Sequence, residues 1–282
     1  MFYIHVLRIK CETLPQGDLL RSSDTPSSII VRSIEFKPTA DVGRGSEWHI
    51  GNVKNIGEGG VAFAMGRKQA VTVQQFDDST HDFLEEEAMR APFTFGVFDE
   101  EIQVCGIIRK AGVSQNTSQI ANKLATLLNA APFAERANSI ISVEPIQDPV
   151  GFIEAIHRSK AVIRFSFTVS RPNPIDVDRL IQGPAKEFTQ EVGGETSTIE
   201  TEGMDLNKDV IEEIANAVAA DGEKAAATIR PSEGGLPKRI HITGNPVTEP
   251  VEPDPDASIL SAVLEGARRA YRRVRRNPVN NG

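Results

Sequence analysis

Asp24, Glu35 and Lys37 are the side chains whose types and order come closest to a hydrolytic centre. A nuclease of the PD-(D/E)xK type needs such a trio, two carboxylates to hold a divalent metal and a lysine to help activate water. Here Glu35-x-Lys37 lies in "IEFK" and Asp24 lies upstream in "SSDTPSS", without the usual Pro-Asp pair. Because Glu-x-Lys also occurs in ordinary strands, a metal-dependent nuclease is the alternative reading and not the leading one.

A second acidic group comprises Asp77, Asp78, His81, Asp82, Glu85, Glu86 and Glu87. His81 and Glu85 are four apart and would share a helical face. Metal sites usually draw ligands from several segments, however, and a run of charge is ordinarily solvated. The histidines His5, His49, His81, His157 and His241 show no HxxH or HExxH spacing. "GEGG" at 57–60 lacks the GK[ST] ending of a phosphate-binding loop, and no GxSxG elbow is present. No metal and no cofactor is expected.

The cations are more telling than the acids. In "SILSAVLEGARRAYRRVRR" (258–276), Leu260, Val263, Leu264, Ala267, Tyr271 and Val274 recur at spacings of three and four and form an apolar helical stripe. Arg268, Arg269, Arg272, Arg273, Arg275 and Arg276 fill much of the remaining surface. Six arginines less Glu265 make residues 258–282 +5, so the rest of a chain of formal charge −8 carries −13. Guanidinium forks match phosphate, which points to nucleic acid. They would equally suit a protein partner, or the acidic body of the chain itself. The stripe lacks the Trp or Phe of a membrane anchor, and no membrane contact is expected. Lesser candidates for an anion are Arg171, in the rigid turn "SRPNP" (170–174), and Lys238 and Arg239, after the glycines of "PSEGGLPKR" (231–239).

The elements that must position these residues are α+β in character. The chain has 282 residues, 39% hydrophobic and 25% charged, which suits a globular protein with a sizeable core. "FYIHVLRI" opens the chain as a near-alternating strand and lacks the features of a signal peptide. "SIIVRSIEF" (28–36) and "QAVTVQQF" (69–76) read as strands, and a glycine-rich reversal interrupts residues 47–65. The acidic stretch after residue 76 reads as helical in its second half. "FTFGVFDEEIQVCGIIRK" (93–110) reads as two strands about Asp99-Glu100, followed by a capped helix and the strand "NSIISVEP". Asp148 caps the next helix, and "AVIRFSFTV" alternates apolar with polar residues, as a strand with one buried face does. Helices near 176–191 and 206–220 alternate with strands at "TSTIETEG", "KAAATIR" and "KRIHIT". Mixed, largely antiparallel sheets with helices layered on one face, with ferredoxin-like elements, are the expected architecture.

Four parts follow: a β-rich segment 1–92, an α+β domain 93–243, a Pro-rich acidic linker 244–257 and the basic helix 258–282. Two isolated cysteines, Cys11 and Cys105, suit a reducing cytoplasm.

Residues 93–247 resemble the uncharacterised bacterial family called domain of unknown function 4747. The likeness lies in the order "FTFGVFDEEIQVCGIIRK", a helix, "AVIRFSFTVSRPNP", "DGEKAAATIRPSEGG" and "GNPV". It implies a cytoplasmic bacterial protein encoded near phage-defence genes, and it carries over no catalytic residue. The combined expectation is a non-catalytic binding or assembly component that holds its arginine helix out to a protein partner, to a second copy or to nucleic acid.

Overall fold

The computed structural model describes residues 1–14, 24–42, 47–113, 115–170, 182–242, 244–253 and 258–275. The chain opens with β1 (Phe2–Thr13), α1 (Pro26–Glu35), β2 (Thr39–Asp41), β3 (Glu47–Gly57) and β4 (Gly60–Arg67). Then come β5 (Gln69–Asp77), β6 (Asp82–Arg90), β7 (Phe93–Asp99), β8 (Val104–Ile108), α2 (Thr117–Asn129), α3 (Pro132–Arg136) and β9 (Ser139–Pro145). The second half holds α4 (Val150–Arg158), β10 (Ala161–Ser170), α5 (Gln182–Glu191), β11 (Thr196–Glu202) and α6 (Lys208–Ala220). It ends with β12 (Ala225–Arg230), β13 (Lys238–His241), β14 (Thr248–Val251) and α7 (Ile259–Arg275).

The protein is α+β with antiparallel sheets. The larger sheet runs β14-β1-β8-β7-β4-β3-β2, and β9 also pairs with β1. The long first strand organises it. One edge of β1 pairs Ile4–Arg8 with β8, while the other takes β14 at Phe2–His5 and β9 at Leu7–Thr13. Both faces are covered. Ile29, Ile30 and Ile34 of α1 and Ile120, Leu124 and Leu128 of α2 pack with Trp48, Phe63 and Phe98 on one side. On the other, α7 packs Val263, Leu264, Ala267, Tyr271 and Val274 with Ile4, Val6, Ala62 and Val97. A Cβ on Gly106 of β8 would stand 3.1 Å from the Ala267 methyl, so the glycine lets this helix lie close on the sheet.

The smaller sheet, β11-β10-β12-β13, carries its helices on one face. Phe165, Phe167 and Val169 point inward to Ile211, Ile214 and Val218 of α6 and Phe152 and Ile156 of α4. A buried ionic seam joins the two sheets. Lys10 Nζ donates to Glu223 at 2.7 Å, Lys186 Nζ to Asp221 at 2.9 Å, and Arg8 stands 4.0 Å from Asp221. Burial pushes the Asp221 carboxyl up, but the charges of Lys186, Arg8 and Lys10 outweigh it and hold the group below its ordinary range.

Three segments differ from their sequence expectation. Residues 26–35 form a helix, not a strand. Thr25 Oγ1 accepts from the Ser28 N–H, Pro26 occupies the first turn, and Ile29, Ile30, Ser33 and Ile34 are buried with helical periodicity. These signals outweigh the β-branched run Ile-Ile-Val. Residues 82–90 form a strand, not a helix, because cross-strand pairing with β5 overrides the helix propensity of Glu-Glu-Glu-Ala-Met. Within the expected linker, Thr248–Val251 is β14, an edge strand on β1; the residues 254–257 lie outside the described residues. The division expected at residue 92 also falls inside one sheet, since β4 pairs with β7 from Gly60–Asp99 to Gly66–Phe93.

No helix among the described residues is long and apolar enough to cross a membrane.

Candidate functional site

The arginine helix lies on its own protein. Its apolar stripe is sealed into the core, with Val263, Leu264, Ala267, Tyr271 and Val274 all buried. The guanidinium groups are paired within the chain. Arg268 Nε donates to Asp99 at 2.6 Å and its Nη1 to Glu265 at 3.0 Å, while Nη2 reaches the Glu58 carbonyl at 2.6 Å. Arg269 and Arg273 both donate to Glu249, at 2.8 and 2.6 Å, and Arg272 stands 4.0 Å from Glu265. Glu249 is a buried residue of β14, so the strand and the helix are locked by one carboxylate. Four arginines thus meet Asp99, Glu58, Glu265 and Glu249, and the helix is docked on the body of the chain, with the Arg269, Arg272 and Arg273 side chains still more than half exposed. Arg276 lies outside the described residues.

The nuclease trio does not assemble. Asp24 precedes α1 and pairs with Arg32 at 2.7 Å, whereas Glu35 ends the helix and Lys37 follows it. The ten residues of the helix span about 15 Å of backbone between the two acids, and the Asp24 carboxylate is taken up by Arg32. Glu35 acts instead on Glu100, whose carboxyl is pushed up by burial and by the charges of Glu35 and Asp99. Lys37, at φ 55°, terminates the helix in the left-handed region, its N–H donating to the Ile34 carbonyl.

The acidic group at 77–87 occupies a two-stranded hairpin, β5-β6, that belongs to neither of the larger sheets. No residue of either strand is buried. Directly opposed pairs share a face, so Phe76–Phe83, Gln74–Glu85, Thr72–Glu87 and Ala70–Met89 form one side. That side is open to solvent: Phe83 is 84% exposed and Met89 69%, and the rings of Phe76 and Phe83 stand 5.1 Å apart. At the tip, Asp77 Oδ1 accepts from the Ser79 hydroxyl at 2.6 Å and its N–H at 2.8 Å, which holds the carboxyl below its ordinary range. His81, at φ 60°, lies at the turn. Between Gln69 and Arg90 stand six carboxylates and one arginine. The sequence carried no period-two signal here, since "DFLEEEAMR" groups its apolar and acidic residues in runs.

Lys238 and Arg239 lie on β13 and are exposed. Arg239 shares an open groove on the outer face of the smaller sheet with Arg164, Thr228, Arg230, Glu202 and Met204. Arg164 is paired with Glu200 and Glu202, while Arg230 and Arg239 have no ion-pair partner among the described residues. Ser166, Thr168, Ala226 and Thr228 alternate with the inward-facing residues of this sheet, so among the described residues the face offers cations and small side chains but no aromatic platform. Arg171 and the turn "SRPNP" beyond Ser170 lie outside the described residues.

No protein-family model matches the chain, and neither does any curated protein.

Proposed function

We propose that the protein is a binding and assembly component that engages a protein partner through the acidic β5-β6 arm. The single observation that carries this reading is the isolation of the arm: paired with no other strand among the described residues, it leaves Phe76, Phe83 and Met89 exposed. A lone hairpin is marginally stable in water, and apolar residues clustered on it gain about 1.5–3 kcal/mol each on burial. The six carboxylates define the partner's chemistry as a basic surface with an apolar groove. The role expected for α7 therefore passes to an arm of opposite charge. The cytoplasmic, phage-defence setting implied by the resemblance over 93–247 is part of this proposal.

The test is copurification of the tagged full chain with its partner at low and high salt, beside light scattering for self-association. Phe76→Ser/Phe83→Ser should lose the complex, and Glu85→Lys/Glu86→Lys should weaken it, without a change in thermal unfolding. Retention of the same complex by both variants would sink the reading.

The outer face of the smaller sheet supports a second reading, a nucleic-acid contact. Arg230 and Arg239 are free of carboxylates among the described residues and share one groove. With no stacking platform, such a contact would be to phosphate and steeply salt-dependent. Labelled single-stranded DNA and RNA would report it by anisotropy, and Arg230→Glu/Arg239→Glu should abolish it.

A further inference from the structure

His157 at the end of α4 and Asp209 and Glu212 in the first turns of α6 bring one imidazole and two carboxylates together. One donor atom from each lies within 4.8 Å of the other two, and His157 Nε2 stands 2.5 Å from Glu212 Oε2. Asp209 and Glu212 are three apart, so α6 projects both acids on the side that faces α4. His157 and Asp209 are exposed, and Glu212 is 2% exposed.

The buried carboxylate is what an ordinary ion pair leaves unexplained. Glu212 Oε1 has no hydrogen-bond partner among the described residues, and neither has Nδ2 of Asn216, one turn further along α6 and 4% exposed. Both residues line a cleft of about 490 Å³ between α4, α6, β14 and α7. Lys208 does not supply the missing charge, because its ammonium is held by the Ser159 and His157 carbonyls at the end of α4. A buried carboxylate with an unpartnered oxygen is costly unless a cation reaches it.

We infer that His157, Asp209 and Glu212 form a binding site for a divalent transition metal of the zinc class. One imidazole nitrogen with two carboxylate oxygens suits Zn²⁺, Co²⁺ or Mn²⁺, and the two negative charges match the ion. Donors about 2.1 Å from a tetrahedral centre stand about 3.4 Å apart, so small rotations of His157 and Glu212 open the site. Three protein donors leave a position for water or for a small ligand. The metal would tie α4 to α6 and give the buried Glu212 carboxylate a full counter-charge.

Zn²⁺ titration of the metal-stripped full chain by calorimetry, with Co²⁺ absorption as a second probe, tests the site. One ion per chain is expected, with a rise in the unfolding temperature. Asp209→Asn and His157→Gln should each weaken binding by more than about tenfold. Asp209→Asn replaces an exposed side chain, so its unfolding without metal should match the parent chain; His157→Gln keeps an amide donor for the buried Glu212, and its metal-free unfolding is measured beside it. His81→Gln, in the arm, should bind as the parent does. Absence of binding by the parent chain, or an affinity in Asp209→Asn and His157→Gln equal to the parent's, would overturn the assignment.

Discussion

Arg268 Nε donates to Asp99 Oδ2 at 2.6 Å, across 169 residues of chain, and Asp99 is 1% exposed. This pair fastens α7 to the end of β7, where Asp99 also accepts from the Glu101 and Ile102 N–H groups at 2.9 and 3.1 Å. An arginine helix that looks made for a partner is in fact a clasp. Arg268→Ala would leave a buried carboxylate short of its cation and should cost about 3 kcal/mol in denaturant unfolding. Arg272→Ala, on the exposed side, should stay within about 0.5 kcal/mol. Equal effects of the two would show that the helix is not clasped through Asp99.

The arm is expected to be dispensable for folding. Replacing residues 69–90 by a short Gly-Ser turn removes no buried side chain, since none of β5 or β6 is buried. Unfolding free energy should change by less than about 1 kcal/mol, while partner capture disappears.

Asp221 gives the ionic seam a defined pH dependence. Its folded carboxyl titrates below the ordinary value of 3.8, so its contribution to stability is complete above that value and fades as the pH falls toward the folded pKa. Stability attributable to this group should be flat from neutrality down to about pH 4 and decline below it. Asp221→Asn strands Lys186 and should destabilise by about 3–5 kcal/mol near neutrality, with a shallower loss in acid, measured by urea unfolding across pH.

The two thiols should be inert in the folded chain. Burial is the largest influence on both, raising Cys11 to about 11 and pushing Cys105 up still further. At pH 8 native protein should resist alkylation by iodoacetamide and react at both positions once denatured, which mass spectrometry would count.

Local periodicity was enough to find most elements. The reversal at Gly57–Gly60 was legible because Gly57 and Gly59, at φ 83° and 69°, take the positive φ that the turn needs. The stripe of α7 was equally legible, every member at helical spacing. At 26–35 and 82–90 local signals conflicted: a cap and a proline defeated β-branched residues in one, and cross-strand pairing defeated helix propensity in the other. Of the trio proposed to hold a metal, Asp209 and Glu212 are three apart in sequence, but His157 stands 55 residues from Glu212 and only the fold brings it to them.

Which charges meet is another matter. Spacing along a chain dictates how an element buries its own apolar face, because that depends on residues a few positions apart. Whether Arg268, Arg269 and Arg273 stay free depends on Asp99 and Glu249, which distant strands deliver. Coulomb attraction acts through space and leaves no period in the residue order. The same reason hid the arm: nothing within residues 69–90 says that no other strand lies beside them.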